Sequence, residues 1–140
     1  MLYCNKEEKM ERRDLTFTDA VKSCFNQFAN FSGRARRQEY WYFVIFNMIV
    51  EAVLTTLGRI IFGADSAMAT ALSGIYSLVV FIPSLAVTWR RLHDVDKSGA
   101  YYLFMLIPFI GWIIVLIQLC KDSQPGENRF GVSPKYPNAY

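Results

Sequence analysis

The sequence predicts an all-α integral membrane protein, with about three transmembrane helices preceded by an amphipathic interfacial helix. Three observations carry that prediction. The stretches Tyr40 to Leu57, Ala67 to Trp89 and Ala100 to Cys120 are uncharged or nearly so, and the second and third hold no charge over 23 and 21 residues. About 20 apolar residues are what a helix needs to cross a bilayer core of about 30 Å. None of the runs alternates as a strand does, and only helices or closed barrels satisfy their backbone groups in lipid. Hydrophobic residues make up 53% of the chain and charged ones only 19%, so three spans leave too little for a second soluble core.

The organisation that follows is a polar N-terminal extension over 1–15, one membrane domain over 16–131, and a flexible tail over 132–140. The extension mixes Lys6, Lys9, Arg12 and Arg13 with Glu7, Glu8, Glu11 and Asp14. From Thr16 to Phe31 the residues Phe17, Val21, Cys24, Phe25, Phe28 and Phe31 recur at spacings of three and four, with Asp19, Lys22, Ser23 and Asn26 on the other side. Thr16 with Asp19 reads as a capping box, and Ser32-Gly33 as a C-terminal stop. Such a helix, leading into Arg34, Arg36 and Arg37, suits a membrane surface with its arginines among lipid phosphates. The competing expectation is that its phenylalanine face packs on the bundle.

The spans are expected at about 40–58, 67–89 and 100–120. Trp41, Tyr42, Trp89, Tyr101 and Tyr102 stand where interfacial aromatic belts occur. Ala67, Thr70, Ala71, Ser73, Gly74 and Ser77 form a small-residue surface suited to close helix approach or self-association. Pro83 and Pro108 each remove a helical hydrogen bond, which predicts kinks. Glu51 is the one acid within a span, about 15 Å past Trp41. It reads either as a neutral carboxyl bonded between helices or as part of an ion or proton path.

Charge orients the chain. Lys22, Arg34, Arg36, Arg37, Arg90, Arg91 and Lys97 fall on one side, against Arg59, Lys121, Arg129 and Lys135 on the other if there are three spans. Seven against four places the N-terminus in the cytoplasm and the tail outside. The loop Arg90-Arg91-Leu92-His93-Asp94-Val95-Asp96-Lys97-Ser98-Gly99 carries the densest chemistry. Paired arginines grip phosphates by forked hydrogen bonds, and His93 with Asp94 forms a potential acid/base pair. The structural reading is that the arginines stop translocation while Asp94 and Asp96 fix a tight loop.

One histidine and three cysteines without a CxxC pair compose no zinc site. No cofactor, metal or catalytic residue is expected. No secretory or lipoprotein signal is visible before Cys4, so the first span is expected to serve as its own insertion signal. The segment after Asp122 is turn-rich at Pro125-Gly126 and lacks a P-loop ending.

Four segments together resemble one family. Phe31-Ser32-Gly33-Arg34-Ala35-Arg36-Arg37-Gln38-Glu39-Tyr40-Trp41, Arg90-Arg91-Leu92-His93-Asp94 with Lys97-Ser98-Gly99, Ile107-Pro108-Phe109-Ile110-Gly111-Trp112, and Gly126-Glu127-Asn128-Arg129-Phe130-Gly131 resemble the bacterial inner-membrane family called domain of unknown function 805. The resemblance covers about residues 20 to 135. It implies a small multi-pass protein of the bacterial cytoplasmic membrane, with no activity assigned.

Function is then expected to be a lipid-contacting binding or scaffolding module with a basic cytoplasmic face. Its candidate residues are Arg34, Arg36, Arg37, Arg90, Arg91, His93 and Asp94, and its partners are anionic lipid headgroups. A homo-oligomer or a membrane-protein partner is a further expectation; nucleic acid is not, since a net charge of +3 beside membrane spans favours headgroups. The alternatives are an oligomeric transporter or channel subunit using Glu51, and an interfacial enzyme using His93 and Asp94.

Overall fold

The computed structural model describes residues 15–136, so nearly all of the N-terminal extension and the last four residues lie outside it. Helix α1 covers Phe17–Asn26. Thr16 caps it: its Oγ1 accepts the Asp19 amide at 3.3 Å, the first half of the expected capping box, while the Asp19 carboxylate takes the Thr16 hydroxyl at 2.6 Å. The helix stops short of the expected Phe31. Beyond Asn26 the side-chain amides of Gln27 and Asn30 bond locally, to Ser23 Oγ and to Gln27 Oε1, an alternative to helical pairing. Ala20 and Cys24 are fully buried. Phe17 tilts onto Tyr42 and Phe46, and Phe25 onto Phe43 and Phe46. Both phenylalanines keep more than a third of their surface exposed, and Phe28 more than half.

Helix α2 runs over Arg37–Phe62 and α3 over Ala67–Asp94. At about 1.5 Å per residue they measure about 39 and 42 Å, enough to cross a bilayer core, and both pass on apolar composition as well. Glu39 stands in the first turn of α2, where the helix dipole favours an acid. Ser66 caps α3 by accepting from Met68 N. The two helices approach closely near their connecting turn, where a Cβ on Gly58 would come within 3.2 Å of Ala69. Two side-chain bonds also join them, Tyr76 Oη to Asn47 Oδ1 at 2.7 Å and Thr55 to Ser73 at 3.1 Å. Of the small-residue surface expected on α3, Ser73 faces α2 while Ala71, Gly74 and Ser77 are exposed. Pro83 is buried within α3, which continues through it.

The third apolar run is not a single helix. It forms a 3-10 helix over Gly99–Leu106, a reversal, and α4 over Ile110–Cys120. Eight residues at about 2.0 Å and eleven at about 1.5 Å give two limbs of about 16 Å each. Each limb reaches half-way across a 30 Å core and no further. Pro108 does not kink a span; it opens the reversal. Ile110 N donates to Pro108 O at 2.8 Å across Phe109, whose φ of 63° and ψ of −68° are those of a γ-turn. Gly111 is required beside it, because a Cβ there would sit 1.7 Å from the Phe104 carbonyl oxygen. Trp112 Nε1 donates across the hairpin to Met105 O at 2.9 Å. At the open end Gly99 lies flat against Trp89, where a Cβ would overlap the indole ring at 1.8 Å. Leu92, Val115 and Leu119 then pack with Tyr40, Tyr101 and Tyr102.

Both feet of the hairpin therefore stand at the same end of the molecule, beside the start of α2 and the end of α3. The tail follows α4 to that end, so the far-side position expected for Lys121, Arg129 and Lys135 is corrected. Residues 127–132 make a two-stranded ribbon of β1 (Glu127–Asn128) and β2 (Gly131–Val132). Residues 132–136, read from sequence as flexible, are tied down here. Ser133 is buried and donates its amide to Gly126 O. Lys135 pairs with Asp122 at 2.8 Å, and Tyr136 Oη donates to Asp122 Oδ2 at 3.0 Å. The Lys135 ammonium and its hydrogen bonds hold the Asp122 carboxyl below its ordinary value.

Candidate functional site

The two arginine-bearing segments, 57 residues apart in sequence from Arg34 to Arg91, meet at that end. Ala35 N donates to Arg90 O at 3.1 Å, which docks the loop before α2 onto the last turn of α3. Arg34 is buried by this docking and its guanidinium uses every N–H it has. Nε donates to Asp94 Oδ1 at 3.0 Å, Nη1 to Gly126 O and Gly131 O, and Nη2 to Asp94 O and Gln124 O. A fork geometry suited to phosphate is thus filled by one carboxylate and four carbonyls.

Asp94 is equally engaged. Besides Arg34 it accepts from Arg91 Nη1 at 2.6 Å and from Ser123 Oγ at 2.6 Å. Arg91 also donates to Leu119 O and to Lys121 O. Those carbonyls close the C-terminus of α4, where unpaired acceptors and the negative end of the dipole attract a cation. One carboxylate thereby ties the N-terminal loop, α3, α4 and the tail together.

A second pair lies alongside. Arg90 Nη1 donates to Glu39 Oε1 at 3.0 Å and to Gln27 Oε1 at 3.3 Å, and the same Glu39 oxygen accepts from Ser23 Oγ at 3.0 Å. Arg90 Nε and Nη2 are buried without a hydrogen-bond partner among the described residues. Cys24, fully buried against Glu39, has its thiol pushed up to about 12, by burial first and by the neighbouring carboxylate second. Three arginines and two carboxylates make up this interior, and removing Asp94, Glu39 or Arg90 would leave a buried charge without its counterpart.

His93 and Asp94 do not form a pair with each other. His93 Nδ1 donates to Gly33 O at 3.0 Å, and its ring stacks on Phe130 at 3.8 Å and 3°. Asn128 Nδ2 donates to His93 O. The imidazole serves as a flat wall for the ribbon while Asp94 is taken up by arginines. Arg36 is half-buried and donates to Pro134 O, and Arg37 is exposed with a 3.4 Å contact to Cys120 O. Glu51 stands apart, mid-way along α2 and half-buried, with no hydrogen bond or ion pair among the described residues. No group of three His, Cys, Asp or Glu side chains among the described residues is placed to hold a metal ion.

Glu39, Gln27, Ser123 and Asn128 were absent from the sequence candidates. Glu39 carries a signal as an acid at the start of a span beside three arginines, and Asn128 lies in the family-like segment Gly126 to Gly131.

A family model described as a protein of unknown function, DUF805, matches residues 28–132, which takes in the loop, both long helices, the hairpin and the ribbon. The chain belongs to DUF805. It is 43% identical over 114 residues to the inner membrane protein YhaI of Escherichia coli K12, covering 81% of this chain and 93% of YhaI. It is 45% identical over 108 residues to the inner membrane protein YhaH of the same strain, covering 77% and 89%. No solved structure matches. With two helices of spanning length and these relatives, this DUF805 chain is a multi-pass protein of the bacterial inner membrane. The DUF805 match begins at Phe28 and so includes every residue of the Arg34–Asp94–Arg91 cluster.

Proposed function

We propose that this protein is a lipid-contacting binding module of the inner membrane, with two spanning helices, a re-entrant hairpin and both described ends at the cytoplasmic face. The half-depth limbs support the re-entrant reading. Charge supports the orientation: with the tail returned to the same end, Lys22, Arg34, Arg36, Arg37, Arg90, Arg91, Lys97, Lys121, Arg129 and Lys135 gather there, and among the described residues Arg59 alone lies at the other. In this reading α1 lies in the headgroup layer, its partly exposed Phe17, Phe25 and Phe28 reaching the acyl boundary.

The observation that carries the proposal is the division of labour among the basic residues. Arg34, Arg90 and Arg91 are interior and build the scaffold, whereas Lys22, Arg37 and Lys121 are exposed on its rim. Headgroup contact therefore belongs to the rim. Each basic residue near an anionic surface contributes about 1 kcal/mol, so three give about 3 kcal/mol, or about a hundredfold in lipid affinity.

The test is native mass spectrometry of the full chain beside Lys22→Ala/Arg37→Ala/Lys121→Ala. The expected result is retained phosphatidylglycerol or cardiolipin in the parent and its loss from the variant, with thermal stability unchanged. Equal lipid retention in both would overturn the rim assignment. Orientation is read separately from C-terminal reporter fusions, where a periplasmic tail would refute the re-entrant hairpin.

A further inference from the structure

The inner halves of α2 and α3 carry a polar seam that the lipid-contact reading leaves unused. Asn47, Glu51, Thr55 and Arg59 recur every four residues along α2, so they share one side of the helix. Asn47 meets Tyr76 and Thr55 meets Ser73 on α3, which turns that side toward the neighbouring helix. An open cavity lies at each end of the seam. One, about 320 Å³, sits just inside the ion-pair end, lined by Asn47, Ser84, Thr88 and Tyr102 among others. The other, about 220 Å³, sits by the α2–α3 turn and is lined by Thr55, Arg59, Thr70 and Ser73.

Glu51 stands between them. It is one turn from Asn47 on one cavity and one turn from Thr55 on the other, about 6 Å along the axis in each direction. It is also about 21 Å from the start of α2 and about 17 Å from its end. Every other polar side chain on the seam between the cavities is paired across it; Glu51 has no hydrogen bond among the described residues. A carboxyl held at mid-membrane without a partner faces protein or water and marks a substrate, ion or proton pathway.

We propose that Glu51 is a proton-binding site through which protons pass along the α2–α3 seam between the two cavities. The cycle balances without redox chemistry. A carboxylate oxygen of Glu51 takes a proton from water in one cavity, forming an O–H bond; that bond then breaks toward water in the other, and the carboxylate is regenerated. The groups facing this site are few. Tyr76 on α3 is the titratable neighbour, Tyr102 of the 3-10 helix lines the first cavity, and Arg59 lines the second. Arg59 sets a positive charge at the far mouth that repels metal cations from the seam, while a proton reaches Glu51 through hydrogen-bonded water. The seam lies within one chain, so no oligomer is required. The proposal uses none of the rim residues and stands apart from the lipid-contact reading.

The full chain is reconstituted in vesicles of phosphatidylethanolamine and phosphatidylglycerol enclosing a pH-sensitive dye, and a potassium diffusion potential is applied. Proton entry above that of protein-free vesicles is expected. Glu51→Gln should lower it by about a hundredfold, the scale of a positioned proton-transfer group, while the conservative Glu51→Asp retains it. A parent no faster than empty vesicles, a Glu51→Gln variant as fast as the parent, or sodium flux in place of proton flux would each overturn the assignment. Should Glu51→Gln fail to fold, the parent protein is treated with a hydrophobic carbodiimide, which attacks protonated carboxyls. Flux should fall in proportion to the modification mapped on Glu51, and flux that survives full modification refutes the proposal.

Discussion

Replacing Asp94 by Asn keeps the size of the side chain and removes its charge. Asp94 is fully buried and accepts from Arg34 at 3.0 Å, from Arg91 at 2.6 Å and from Ser123 at 2.6 Å. The asparagine has one acceptor oxygen, so an N–H must face a donor on one side. Two guanidiniums remain interior without a counter-charge. Breaking a buried pair in this way costs about 3–5 kcal/mol, a large part of the roughly 5–15 kcal/mol that holds a domain together. At about 2–8 °C per kcal/mol for chains of this order of size, the apparent melting temperature should fall by about 6 °C or more. The assay is fluorescence-detected thermal unfolding in detergent, with Ser123→Ala as comparison, because that change removes one hydrogen bond and costs only about 1 kcal/mol. Limited proteolysis adds a local readout: the tail should be cut faster in Asp94→Asn. A variant that melts with the parent and keeps its tail protected would refute the claim that these arginines are internal, and would return them to the membrane surface.

Three further outcomes are expected. Gly111→Ala places a methyl 1.7 Å from the Phe104 carbonyl oxygen, so the hairpin must open; cross-linking between cysteines placed at Met105 and Trp112 should be lost, and an unchanged yield would contradict the reversal. In a Cys4→Ser background, Cys120 is exposed and should react at once with a maleimide, while Cys24, its thiol pushed up to about 12, should react only after denaturation; equal rates would show that α1 is not docked. The Asp122 carboxyl is depressed by Lys135, so the stability it lends the tail is present above its ordinary value of 3.8 and is lost as pH falls through the lower folded value. The protection of the Ser133 and Tyr136 amides, relative to free-peptide exchange at the same pH, should fall through that acidic window in the parent and show no such step in Asp122→Asn.

The two long helices could be read from the sequence because an uncharged run longer than a bilayer core has few alternatives. The third run was equally apolar, yet composition reports how many residues lie in lipid and not whether the chain turns back. Pro108 was visible as a break, but a kinked span and a reversal differ only in the geometry at Phe109 and Gly111. The arginines were found and their surroundings were not. Arg91 and Asp94 are three residues apart on one helix, so their pairing was within reach of the sequence. Arg34 meets Asp94 across 60 residues, and its other acceptors are backbone carbonyls, which no side-chain pattern can announce. Glu39 was passed over because a single acid among arginines looks like ordinary dilution of charge. The resemblance at Gly126 to Gly131 marked a segment without a reason, and the reason is that its carbonyls at both glycines complete the Arg34 shell.

The acceptors that fill Arg34 come from residues 94, 124, 126 and 131. On the ribosome they appear in that order, long after Arg34 itself has been made. During synthesis the guanidinium stays hydrated beside the membrane, and the shell can close only after α4 has returned and the ribbon has formed. Closure of the shell thus waits on the synthesis of Gly131, and a copy truncated before Gln124 carries an open arginine.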